Sequence, residues 1–213
     1  MRPFRTLCVL LVVTAPPLLL AVAGLVHPRH LTTATAGRWA GLHVVLLPVF
    51  PLLVLGLLVP LWGRPRRDVE GALTLLSWAG CLVFAAYYSG LDAVAGISAG
   101  TVVDHGVHGA AGHLFAMGDR LGRAGVYGLA VASFATCAVL WRRHGVRVLP
   151  GAAVLAVACW SFVDSHIFWP RGVVTMTGFA AAFALLTLAT CRPNEVAGRP
   201  NGGAGRPPRL TNP

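Results

Sequence analysis

The chain has 213 residues, of which 56% are hydrophobic and only 11% charged, less than half of the roughly 25% charged share usual in a soluble domain. An ordinary water-soluble globule is thereby excluded. The 56% amounts to about 119 apolar residues, and six membrane spans of about 20 residues need about 120. The basic excess is large: 17 Arg and no Lys against 7 Asp and Glu, a formal net charge of +10. In a soluble chain such a balance would point to nucleic acid. Beside long apolar runs it points to membrane topology instead, because positive charge accumulates in cytoplasmic loops. The expected partner is the lipid bilayer, with no nucleic acid, and a homo-oligomer is compatible with the composition.

The expected fold is an all-α integral membrane protein, a six-helix transmembrane bundle with both termini inside. Its spans fall at about 6–26, 39–62, 72–92, 124–141, 148–168 and 172–191, with a disordered Arg/Pro/Gly-rich cytoplasmic tail over 192–213. The first span follows Arg2 and Arg5 and is interrupted by Thr14 and the Pro16–Pro17 pair. Ala21-Val22-Ala23 is a small-x-small pattern that leaves a cleaved signal peptide open, although the apolar run is longer than a usual signal core. The second span carries Pro48, Pro51 and Pro60, each lacking a backbone donor, so a kinked helix is expected. The third passes Trp78 and Tyr87-Tyr88 to end at Asp92. Residues 93–103 stay mildly apolar but rich in Gly and Ala, and either extend the helix or re-enter the membrane.

Sorting Arg by loop supports the orientation. With the N-terminus inside, Arg2, Arg5, Arg64, Arg66, Arg67, Arg142, Arg143, Arg147, Arg192, Arg199, Arg206 and Arg209 lie inside, against Arg29, Arg38, Arg120, Arg123 and Arg171 outside. A split of 12 to 5 predicts the cell (inner) membrane with both termini cytoplasmic. The five Cys have no CxxC spacing and none falls in an outer loop, so they read as bundle packing.

The same topology gathers His27, His30, His43, His105, His108, His113 and His166 on the outer side, with Asp92, Asp104, Asp119 and Asp164, leaving only His144 inside. His43, Asp92 and Asp164 sit within or at the ends of apolar helices, where an ionisable group costs about 2.5–3.5 kcal/mol at the helix centre and so marks a functional site or a buried pair. Tyr88 is one turn before Asp92 and shares its face. Asp164 and His166 are two apart, on opposite sides of a regular helix, and Pro170 favours unwinding near His166. The loop expected over about 93–123 carries Asp104, His105, His108 and His113 among glycines. His105 and His108 would share a face if helical, although Gly106, Gly109 and Gly112 disfavour helix. In this arrangement the loop would cover the site.

Imidazole and carboxylate together suit a divalent metal, zinc or a similar ion. The candidate ligands are His43, Asp92, Asp164, His166, His105 and His108, with Tyr88, Asp104, His113 and Arg171 in support. A haem held between His43 and His166 is a second cofactor reading. The competing reading without a cofactor pairs Asp164 with Arg171 or Arg38 at the rim. The sequence thus predicts a multi-pass membrane protein with an outward His/Asp site that binds a metal for hydrolytic or redox chemistry. The alternative is a non-enzymatic scaffold or a small proton- or metal-coupled transporter subunit. No HExxH is present to name a reaction.

Overall fold

The first apolar run folds as α1 (Arg2–Val26), continuous through Pro16 and Pro17, with the Thr14 hydroxyl donating to the Leu10 carbonyl at 2.8 Å. The structure is a computed structural model that describes residues 2–63 and 65–191. Arg64 and the tail expected over 192–213 lie outside the described residues, as does the side chain of His108.

α2 (Ala36–Leu46) is followed by a 3-10 turn at Phe50–Val54, the short α3 (Leu55–Leu58) and a second 3-10 turn at Val59–Leu61. The two halves bend by 41°. Pro48 and Pro51 explain the break, since neither supplies the N–H that would continue the α2 ladder.

α4 (Val69–Leu91) begins on Asp68, whose carboxylate accepts the Gly71 N–H at 3.0 Å. It does not end at Asp92. A π-helical stretch over Asp92–Ser98 leads straight into α5 (Ala99–Asp104), so 69–104 is one helical run of 36 residues. Nothing between 93 and 103 lacks a donor, and the stop comes at Gly106, whose φ of +78° is the left-handed conformation that ends helices. After it, α6 (Ala111–His144) is 34 residues long. The long loop expected over 93–123 is therefore mostly helix, and His105 and His108 do not share a helical face, because α5 has ended before them.

α6 stops at Gly145, and α7 (Leu149–Phe162) and α8 (Arg171–Cys191) follow. The Cys159 thiol reaches the Ser133 hydroxyl at 3.4 Å. In a straight helix those residues would stand about 39 Å apart, so the chain doubles back at Gly145. Among the described residues the protein is all-helical. Four helical runs are long and apolar enough to cross a membrane, or five if the bent pair α2 and 50–61 counts as one span. Large apolar side chains face outward, with Leu82 70%, Phe134 73% and Trp160 75% exposed, a surface suited to lipid.

α4 packs along α6, and α8 lies against α1 and α7. The α4–α6 contact is built on small residues, and a Cβ at Gly80 would press on the Gly128 carbonyl oxygen and on Ala132. Close approach of this kind is how apolar helices associate in lipid. At one end of the pair Glu70 meets Arg143 at 3.1 Å and Arg142 at 3.9 Å. The far end of α4, the last turn of α1, the start of α2 and the α7–α8 connection meet at the other. Gly80→Ala should lower the thermal midpoint in detergent, because overpacking at a backbone contact costs about 1–3 kcal/mol. Gly41→Ala, where a Cβ meets nothing within 4 Å, should not. Equal effects would contradict the packing.

Candidate metal centre

Three histidines meet at the end of the bundle opposite Glu70. His27 is the first residue after α1, His43 lies in the last turn of α2, and His166 sits between α7 and α8. One ring nitrogen from each lies within 4.8 Å of the other two.

Each ring is held by its other nitrogen. His27 Nδ1 donates to the Pro28 carbonyl at 2.8 Å, and His43 Nδ1 to the Trp39 carbonyl at 2.7 Å. A carbonyl oxygen only accepts, so in both neutral rings Nε2 carries a bare lone pair. Those two Nε2 atoms face each other at 3.4 Å, an approach that repels unless a cation shares the lone pairs. His166 Nδ1 contacts the Tyr88 hydroxyl at 2.9 Å, and its Nε2 is buried with no hydrogen-bond partner. With the phenol oxygen as acceptor, all three Nε2 atoms are free to ligate. Burial pushes the His27 imidazole down to about 4 in spite of its carbonyl hydrogen bond. It pushes His166 well below the usual imidazole range, with His43 and His27 adding to the effect. Both rings are neutral near pH 7, the form a metal needs.

The geometry can be tested against a real ion. Zinc–imidazole bonds of about 2.0–2.1 Å in a tetrahedron give nitrogen–nitrogen edges of about 3.3–3.4 Å. The His27–His43 distance of 3.4 Å already matches that edge. His166 also has a ring nitrogen within 4.8 Å of the other two, so closing the triangle onto an edge of about 3.4 Å requires a shift of at most about 1.4 Å. Carbonyl or hydroxyl partners on the non-ligating nitrogen are the usual means of fixing ligand tautomers.

Asp92 supplies the fourth polar group. It is wholly buried, neither carboxylate oxygen has a hydrogen-bond partner, and Oδ1 lies 3.8 Å from His43 Nε2. Such a group costs about 1–3 kcal/mol when left unsatisfied, so its presence calls for a cation or a donor.

The helices hold this arrangement through close backbone contacts. Asp92 opens the π-helical turn, a feature common at functional sites, and within that turn the Ala95 carbonyl accepts Trp39 Nε1–H at 3.2 Å. Gly96, in the same turn, lies under His43, and any Cβ there would collide with the ring. Thr35 ties the segment before α2, its hydroxyl donating to the His30 carbonyl at 2.8 Å. Arg38 caps α1 by donating to the Val26 carbonyl at 2.6 Å. Gly24 and Gly172 clamp the backbone at Ile167 from two sides, and this fixes the adjoining His166. Phe50 stacks on His166 with ring centroids 5.4 Å apart.

The structure therefore brings together His43, Asp92, His166 and Tyr88, with the Tyr88 hydroxyl on His166 rather than on Asp92. His27, which the sequence placed only among the outer-side histidines, completes the set. Asp164 is exposed, because α7 ends at Phe162 and the chain turns it outward. Arg38 and Arg171 donate to carbonyls, Arg171 to that of Ser161 at 3.5 Å. Asp104, His105 and His113 are exposed, and His105 Nδ1 turns back to the Thr101 carbonyl at 2.9 Å. A haem between His43 and His166 does not fit, since the two rings are stacked at 5.9 Å with His27 wedged beside them, leaving no slot for a macrocycle.

A cavity of about 630 Å³ opens over the centre. His43, Tyr88 and His166 form its floor, and Leu91, Phe115, Val126, Phe162 and Phe168 line its walls. Among the described residues none from 104–113 lines it, and residues of α6 border it instead. Compared with known proteins, the chain matches no family model, no curated protein and no solved structure.

Asp92→Asn should raise the thermal midpoint of the metal-free protein, because the amide can donate toward the His43 Nε2 lone pair and the isolated carboxylate is gone. The expected gain is about 1–3 kcal/mol. A destabilised variant in chelator would mean that Asp92 is already satisfied by the protein alone.

Proposed function

We propose that the chain is a six-span membrane protein that binds one divalent transition metal, zinc or a similar ion, through His27, His43 and His166. The observation that carries this reading is the pair of bare Nε2 lone pairs at 3.4 Å, each fixed by a carbonyl on the opposite nitrogen.

Three imidazoles leave one coordination position, as in catalytic rather than structural zinc sites. His43 and His166 both border the cavity, so that position faces the space where a ligand enters. The metal would supply Lewis acidity to an oxygen donor there. Asp92, 3.8 Å from His43 Nε2, would lie beside the ligand set rather than on the cavity. Tyr88 holds His166 in its ligating orientation. A membrane-embedded metal-dependent hydrolase is the reaction class that these roles fit best.

The six-span topology rests on the doubling back at Gly145, with the bent pair taken as one span. The excess of inner Arg favours termini on the cytoplasmic side of the cell membrane, which sets the centre near the outer leaflet.

Metal analysis of the purified full chain tests the reading. About one zinc or similar ion per chain is expected. His27→Ala, His43→Ala and His166→Ala should each remove most of it, while the exposed His105→Ala and His113→Ala should retain it. Metal content that is substoichiometric in the parent, or unchanged in all three ligand variants, would overturn the assignment. Gly96→Ala should also lower the content by displacing the His43 ring.

A further inference from the structure

The cavity above the three histidines has a composition that narrows its ligand, and this step rests on the metal reading just given. Its volume of about 630 Å³ is within the range of about 300–1,000 Å³ typical of small-molecule sites. The floor is polar and belongs to the metal centre. The walls are apolar and come from α4, α6 and the end of α7, helices whose outer faces meet lipid.

The mouth is charged in both senses. Arg29 and Arg123 stand there with Asp119 and Asp164. All four side chains are exposed. Among the described residues none of them forms an ion pair. A mouth built for a simple anion would not carry two carboxylates, and one built for a cation would not carry two guanidiniums. Equal numbers of both complement a head group that bears phosphate and ammonium together. Above an apolar throat and beside the membrane surface, such a head belongs to a lipid.

We infer that the cavity binds a zwitterionic glycerophospholipid, with its phosphate and ammonium between the Arg and Asp side chains of the mouth and its glycerol region against the apolar walls. An ester or phosphate oxygen of this lipid is then the donor that reaches the open metal position. Asp119 and Arg123 are one helical turn apart on α6, so one helix presents both charges to the mouth. Arg29 and Asp164 face them from the segment after α1 and the α7–α8 connection.

Cobalt-substituted full-length protein in detergent offers a direct test, since the visible bands of Co²⁺ change when its coordination changes. Dihexanoyl phosphatidylethanolamine should shift these bands saturably. Phosphoethanolamine without acyl chains should shift them only at much higher concentration, and dihexanoyl phosphatidylglycerol should bind more weakly than the zwitterion. Arg123→Gln and Asp119→Asn, both at exposed positions, should each weaken binding by roughly fivefold, as expected for exposed charge pairs, while leaving the bands of the lipid-free protein in place.

Equal responses to phosphoethanolamine and to the lipid would assign the site to a soluble phosphocompound and overturn the inference. So would bands that no lipid moves, or a preference for phosphatidylglycerol. Failure to take up Co²⁺ at all is a different result, which overturns the metal centre itself.

Discussion

Everything at the functional end of the bundle depends on where three imidazole protons go. The carbonyls of Pro28 and Trp39 take the Nδ1 protons of His27 and His43, and so force two nitrogen lone pairs together. A polypeptide gains nothing from such an arrangement by itself. Two facing lone pairs, an orphaned His166 nitrogen and an orphaned carboxylate in one apolar interior all raise the free energy of the folded chain. A shared cation satisfies all of them at once.

The scaffold bears this local cost through contacts elsewhere. Phe50, Phe84, Phe162, Phe179 and Phe183 fill the interior, and small residues let α4 and α6 approach closely. Buried hydroxyl pairs, such as Ser77 with Thr136 at 2.8 Å, satisfy each other inside the bundle. The clamp on Ile167 and the contact of Gly96 with His43 are steric rather than attractive. They work because side chains are missing, which holds the three imidazole rings close together without adding polar groups to a membrane interior.

The broad class was legible in composition alone, since the 11% charged share is less than half of the roughly 25% usual in a soluble domain. Tyr88, Asp92 and His43 could be picked out because each interrupts an apolar helix, where polarity is costly. His27 carried a weaker signal: it lies just past the apolar run, where a histidine is ordinary, and the tautomer that bares its Nε2 comes from the Pro28 carbonyl that follows it. Asp164 shows the opposite error. Its place near an apolar stretch suggested burial, but α7 unwinds after Phe162 and faces it to the mouth of the cavity. The π-helical turn at Asp92 left no mark in the sequence, because π geometry arises from how a helix fits its neighbours. Gly and Ala between 93 and 103 were read equally well as re-entrant or helical. The packing of Gly100 on Ala40 shows what the helix needed them for.

The central claim is that His27, His43 and His166 bind one metal ion through their Nε2 atoms. X-ray absorption at the K edge of the metal that copurifies with the full chain measures this most directly. The account predicts about three imidazole nitrogens at about 2.0–2.1 Å, with the outer-ring scattering characteristic of histidine and a further oxygen donor. A first shell made of sulfur, or of oxygen without imidazole scattering, would contradict it.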